Sequence, residues 1–144
     1  MINNNLKYCR ETLEMTQKEL GYIFGVAEST VSGWENNNDI MPLNKLFKFC
    51  ELYGFSLDYV TGLSKKNIKY KNIGKLNRTK VGKNLKAIRK KLGLTQTKLA
   101  KDCTISQTTY SNYELGIRLI TTITLYTLCK KHNLSMDEVI GRIK

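Results

Sequence analysis

The chain carries nearly the same message of about 60 residues twice. Displaced by 79 positions, residues 5–62 fall on residues 84–141 without a gap, and 17 of the 58 pairs are identical. The identities include Leu6 with Leu85, Leu13 with Leu92, Thr16 and Gln17 with Thr95 and Gln96, and Leu20 with Leu99. Farther on, Ser32 matches Ser111, Glu35 matches Glu114, Leu46 matches Leu125, Asp58 matches Asp137 and Gly62 matches Gly141. A gapless duplication of this length predicts two copies of one small domain. A solenoid would need shorter units and at least three of them.

Units of this size fold alone most readily when they are helical. The single Pro and the many Leu, Ile and Lys residues suit that class. In repeat one, Ile2, Leu6, Cys9 and Leu13 form an apolar stripe at helical period, predicting a helix from Ile2 to Leu13. Thr16 and Glu19 form a capping box for a second helix over Gln17–Phe24. Gly25 then turns the chain. A third helix is expected over Glu28–Asn36 with Val31 and Trp34 inward, a fourth over Leu43–Tyr53, and a short fifth capped by Ser56 and ending near Gly62. Repeat two repeats the scheme at about 80–92, 96–103, 107–115, 122–132 and 135–143, with Ser135 and Glu138 as a second capping box. Thr122, Ile123 and Thr124 are poor helix starters, so the fourth helix there is expected to rest on packing by Leu125 and Leu128. The fold class expected is all-α: two tandem five-helix domains, 1–63 and 80–144, joined by a basic linker, 64–79.

Charge is divided unevenly. Residues 1–63 carry −3, residues 64–83 carry +8 and residues 84–144 carry +7, within a total of +12. This predicts a polyanionic partner that meets the linker and the second repeat. No apolar run reaches 18 residues, and residues 1–5 lack the blocks of a secretory signal. A soluble cytoplasmic chain is expected. The four cysteines form no C-x-x-C pair and the only His is His132, so no zinc site is expected. Buried thiols in a reducing compartment are expected instead. No nucleophile–base pair or glycine-rich phosphate loop is present, so neither an enzyme nor a cofactor is expected.

The segments Met15–Asn36 and Leu94–Glu114, with the tails Phe55–Asp58 and Leu134–Asp137, resemble the Cro/repressor-type helix-turn-helix (XRE) family. The resemblance covers about 120 of 144 residues. It implies a five-helix domain that binds double-stranded DNA, usually as a dimer, to regulate transcription, commonly as a repressor. With two copies in one chain, a homodimer and an intramolecular pseudo-dimer both remain open. By resemblance, Gln17 and Gln96 open the second helix, touch the phosphate backbone and brace the next helix.

The third helix is the expected reader. Residues at i, i+1, i+4 and i+5 share one helix face. In repeat two that face is Gln107, Thr108, Ser111 and Asn112. Gln and Asn can pair bidentately with adenine, and a Thr methyl suits thymine. Lys98, Lys101, Arg89, Lys90 and Lys91 are placed to engage phosphates, which positions a protein without reading sequence. In repeat one the matching face is Glu28, Ser29, Ser32 and Gly33. Its third helix and the following loop hold no Lys or Arg, while Glu28, Glu35 and Asp39 are acidic; Lys18 is the only cation on its second helix. Ala27 stands where repeat two has the cap Ser106. Repeat one is therefore expected to be the weaker DNA contact and to offer a surface to a protein partner, as in an antitoxin or antirepressor-like system. A structured-RNA binder fits less well, because an A-form major groove is too narrow for a reader helix. The linker's 16 residues reach at most ~54 Å, or roughly 22 Å if flexible. Adjacent major grooves on one DNA face are about 34 Å apart.

Overall fold

A computed structural model describes residues 2–144. It is all-α. The described residues form α1 (Leu6–Thr12), α2 (Gln17–Phe24), α3 (Glu28–Glu35), α4 (Leu43–Tyr53) and α5 (Leu57–Val60). They continue with α6 (Arg78–Leu92), α7 (Gln96–Asp102), α8 (Gln107–Glu114), α9 (Thr122–His132) and α10 (Met136–Val139). The chain separates into two compact units, one ending at Lys69 and the other beginning at Tyr70. Each has its own core. Leu6, Leu20, Val31, Trp34, Leu46, Phe49 and Leu57 fill the first, and Leu85, Leu99, Tyr110, Leu125, Leu128 and Met136 fill the second.

Local chemistry explains most boundaries. Thr16 and Glu19 form the predicted capping box: the Glu19 N–H donates to the Thr16 hydroxyl at 3.0 Å, and the Thr16 N–H donates to the Glu19 carboxylate at 3.1 Å. Ser56, Thr95, Ser106 and Ser135 each accept a backbone N–H at their helix starts. The start of α9 holds for a reason beyond packing. Thr121 accepts the Thr124 N–H at 3.3 Å, and its hydroxyl donates to Thr124 Oγ1 at 2.8 Å.

Two expectations are corrected. The first helix begins at Leu6 and not at Ile2, because Asn4 and Asn5 satisfy backbone groups with their side chains. Asn4 accepts the Leu6 N–H at 2.7 Å and donates to the Trp34 carbonyl, while Asn5 donates to the Tyr59 carbonyl at 3.0 Å. Short polar side chains of this kind compete with helix formation. The last helix spans only Met136–Val139, short of 135–143; the Arg142 N–H turns back to the Asp137 carbonyl at 2.9 Å.

The basic stretch 64–79 is held at both ends. In the first unit Asn67 accepts the Ser56 N–H at 2.8 Å and donates to the Gly54 carbonyl at 3.0 Å. In the second unit the Lys71 N–H donates to the Ile143 carbonyl at 2.7 Å, and Tyr70 is buried. All four cysteines are buried and reduced. Burial pushes the Cys9 thiol up to about 12 and the Cys103 thiol up to about 11, far from the reactive range.

Candidate nucleic-acid interface

A buried ionic clamp sits at the same place in both units. In the first, Arg10 of α1 donates from Nε to Glu35 at 2.6 Å and from a second guanidinium nitrogen at 3.1 Å. Its third nitrogen donates to the Met15 carbonyl at 2.7 Å. Gln17, at the start of α2, donates to the same carboxylate at 3.0 Å. In the second unit Arg89 meets Glu114 at 2.6 and 3.2 Å and the Leu94 carbonyl at 3.0 Å, and Gln96 reaches Glu114 at 3.0 Å. One carboxylate at the end of α3 or α8 thus joins three elements: the first helix, the turn before the second, and the second helix's first residue. Bidentate pairs of this type fix geometry as well as contribute energy.

This clamp was legible only in part. The Glu35–Glu114 identity is visible in the sequence, as is the Arg10–Arg89 identity. Their pairing across 25 positions is not, because nothing local signals it. It also changes two readings. Arg89 is not an available phosphate contact, since its guanidinium is spent on Glu114. Glu35 does not add negative charge to the surface of repeat one, because its side chain is 1% exposed and paired with Arg10. Burial pushes the Glu114 carboxyl up, but the hydrogen bonds from Arg89 and Gln96 outweigh it and the net shift is downward.

From the clamp, one contact leads to the surface. Gln96 Oε1 accepts from Gln107 Nε2 at 2.8 Å. Gln107 is exposed at the first turn of α8, with Thr108 exposed beside it and Ser111 and Asn112 half-buried on the same face. Tyr110, Tyr113 and Glu114 occupy the opposite, buried side. Gln107, Thr108, Ser111 and Asn112 therefore come together as one uncharged polar face, and its leading amide is held by a chain running back to Arg89. The Asn112 carbonyl also receives the Ile117 N–H at 3.0 Å, which folds the following loop against the helix. The Tyr110 hydroxyl falls short of hydrogen-bond geometry to the Glu114 carboxylate yet feels it. Burial and then Glu114 push this phenol well above its usual range.

Around that face, Lys98 and Lys101 are exposed on α7, and Arg118 is exposed in the loop after α8. Lys98 is not solitary: its Nζ lies 3.0 Å from Asp102. In the first unit Lys18, Glu28 and Ser29 are exposed. Ser32 is half-buried and accepts from the Asn36 amide at 3.2 Å. Gln17 braces Glu35 as Gln96 braces Glu114, but Glu28 stands where Gln107 does. Ala27 makes no side-chain cap. No group of His, Cys, Asp and Glu among the described residues could hold a metal ion, and no described helix is long and apolar enough to cross a membrane.

The comparisons agree with this duplicated plan. A family model described as helix-turn-helix matches residues 6–60 and again residues 85–139. The antitoxin PezA of Streptococcus pneumoniae is 36% identical over 64 residues, which is 44% of this chain and 40% of that protein. A Bacillus subtilis protein described as the uncharacterized HTH-type transcriptional regulator YobD is 33% identical over 64 residues, 44% of this chain and 57% of that protein. The chain spans about half the length of these curated relatives.

Proposed function

We propose that this chain, which belongs to the helix-turn-helix family, is a sequence-specific duplex-DNA-binding regulator of transcription, acting as a repressor by occupying its operator. Its second unit reads the major groove with α8. The observation that carries the reading is the relay Arg89–Glu114–Gln96–Gln107. It fixes an exposed amide at the tip of a polar helix face before any ligand arrives. An amide already held in place loses less freedom on binding than a free one. Gln107 and Asn112 can each pair with an adenine edge, and Thr108 can meet a thymine methyl. Lys98 and Lys101 supply phosphate contacts beside them.

The experiment is a binding titration of the full chain on a duplex selected from a random pool and on a scrambled duplex. Gln107→Ala or Asn112→Ala should weaken the selected duplex by ~1–3 kcal/mol and leave the scrambled one nearly unchanged. Equal losses on both would remove α8 as the reader.

A second reading applies to the first unit: a surface for a protein partner, in which DNA contact is secondary. It is favoured by the acidic Glu28 and Asp39 on and after α3, and by Tyr22. That side chain is 88% exposed where the second unit has Lys101. The name of the antitoxin relative points the same way. Under this reading, Ser29→Ala and Lys18→Ala in the full chain leave duplex affinity unchanged, while the same changes at Thr108 and Lys101 do not.

A further inference from the structure

Between Tyr59 and Lys101 the chain has no acidic residue. Within the second unit this stretch opens with Lys71, Lys75, Arg78, Lys80 and Lys83, all exposed. It is not a loose tether there. Tyr70 is buried with its hydroxyl 3.3 Å from Ser135 Oγ, and the Arg142 guanidinium lies 5.4 Å from the centre of its ring. Arg142 is itself fixed by Asp137 at 2.8 Å. The Lys71 N–H is bonded to Ile143, and the Lys75 N–H closes a turn onto the Ile73 carbonyl at 2.9 Å. Asn77 then caps α6 by accepting from Thr79 and Lys80 at 3.0 and 3.1 Å.

The strap ends beside the reader. A Cβ placed on Gly82 would lie 2.5 Å from the carbonyl oxygens of Tyr113 and Glu114, and one on Gly116 would lie 2.9 Å from Thr79 Cα. The start of α6 therefore touches the end of α8, and only glycine permits the approach. Exposed Arg118 follows that same end. Helix stability does not explain the charges. Arg78 and Lys80 occupy the first turn of α6, which has no acid, and cations there oppose the helix dipole. In the first unit the residues just before α1, Ile2, Asn3, Asn4 and Asn5, carry no charge, and Asp39 takes the place of Arg118.

We infer that the strap Lys71–Lys83 is a second duplex-binding element, a sequence-blind clamp on the phosphate backbone next to the groove that α8 enters. This rests on the DNA-binding reading above. The division of labour is that α8 sets which duplex is chosen and the strap sets how tightly any duplex is held.

The test uses the full chain carrying Lys71→Gln, Lys75→Gln and Arg78→Gln together, titrated on the selected and scrambled duplexes at several salt concentrations. Each lost contact should make the log–log salt slope shallower by about 0.9. For three contacts, the affinity lost between 50 and 200 mM salt should shrink about fortyfold, equally on both duplexes. The three side chains are exposed, so unfolding curves should stay superimposable. Restoring positive charge with Lys71→Arg and Lys75→Arg should restore most of the slope. An unchanged slope with intact binding overturns the clamp alone and leaves α8 as reader. A loss confined to the selected duplex also overturns it. A native chain that binds neither duplex overturns both readings.

Discussion

The two units share one buried clamp and differ in what they display around it. Arg10, Gln17 and Glu35 are repeated as Arg89, Gln96 and Glu114, with distances that agree within 0.1 Å for the contacts to carboxylate. On the outward faces Glu28 answers Gln107, Gly33 answers Asn112, Asp39 answers Arg118 and Tyr22 answers Lys101. Duplication has kept the frame and let the face drift. The lesson is that the buried clamp and the displayed face are written on different residues, so the face can be altered without the clamp, whereas in the second unit the clamp holds the face through Gln96.

The strongest way to break that comparison is at the frame. Glu114→Ala leaves Arg89 buried without its anion, and losing one partner of a buried pair typically costs about 3–5 kcal/mol. Glu35→Ala should cost the first unit the same amount, since its carboxylate is equally buried. Amide hydrogen exchange, read residue by residue, separates the units. Each change should lower protection in its own unit only. Duplex binding should fail with Glu114→Ala, because Gln96 and Gln107 lose their anchor, and largely survive Glu35→Ala. Matching losses of binding from both would show that the first unit also reads DNA.

The turn inside each motif sharpens the comparison at smaller scale. Repeat one keeps a glycine there and lacks a cap: Gly25 has φ 65° and Ala27 caps nothing. Repeat two keeps the cap and lacks the glycine: Ser106 accepts the Thr109 N–H at 3.1 Å, while Thr104 is held at φ 58°. A β-branched residue in the left-handed region is strained. Ala27 has the same extended backbone as Ser106, with φ −70° and ψ 154° against φ −73° and ψ 154°. Ala27→Ser should therefore stabilise the first unit by about 1 kcal/mol, and Thr104→Gly should stabilise the second by a similar amount. Chemical denaturation checks both. A null result for Ala27→Ser would mean that Glu28 or solvent already serves the open N–H groups.

These outcomes bear on how much the chain discloses before it folds. The helix pattern and the cap pair Thr16 and Thr95 are local signals repeated 79 positions apart, while the cap Ser106 and the outward set on α8 are local signals of repeat two alone. They are legible because periodicity and capping act within one or two turns. Arg10–Glu35 and the seating of Tyr70 under Arg142 are not, since they join residues 25 and more positions apart through packing. Asn4 and Asn5 fall between. Their preference for backbone partners is intrinsic, but the Trp34 and Tyr59 carbonyls that take their hydrogen bonds exist only once the fold has formed.

The smallest predicted difference lies on the far side of α7. Asp102 is 4% exposed and receives Lys98 Nζ at 3.0 Å, Lys131 Nζ at 3.2 Å and His132 Nε2 at 3.2 Å. The matching positions in the first unit are Ile23, Glu19, Leu52 and Tyr53, so only the second unit carries this cluster. The hydrogen bond from Lys98, opposed by burial and reinforced by Lys131, holds the Asp102 carboxyl down at about 2. A carboxyl whose folded pKa lies below its unfolded value adds stability that is complete at neutral pH and vanishes as pH falls through the folded pKa. The window here runs from about pH 4 down to about pH 2. Because Lys98 and Lys131 are more than half exposed, solvent screening should keep the gain under about 1 kcal/mol. Asp102→Asn should lower the second unit's stability by that amount at pH 7 and by almost nothing at pH 2, with no change in the first unit. Thermal unfolding across that range tests it. A deficit that persists undiminished at pH 2 would assign Asp102 a packing role and leave the electrostatic contrast between the units to the faces of α3 and α8 alone.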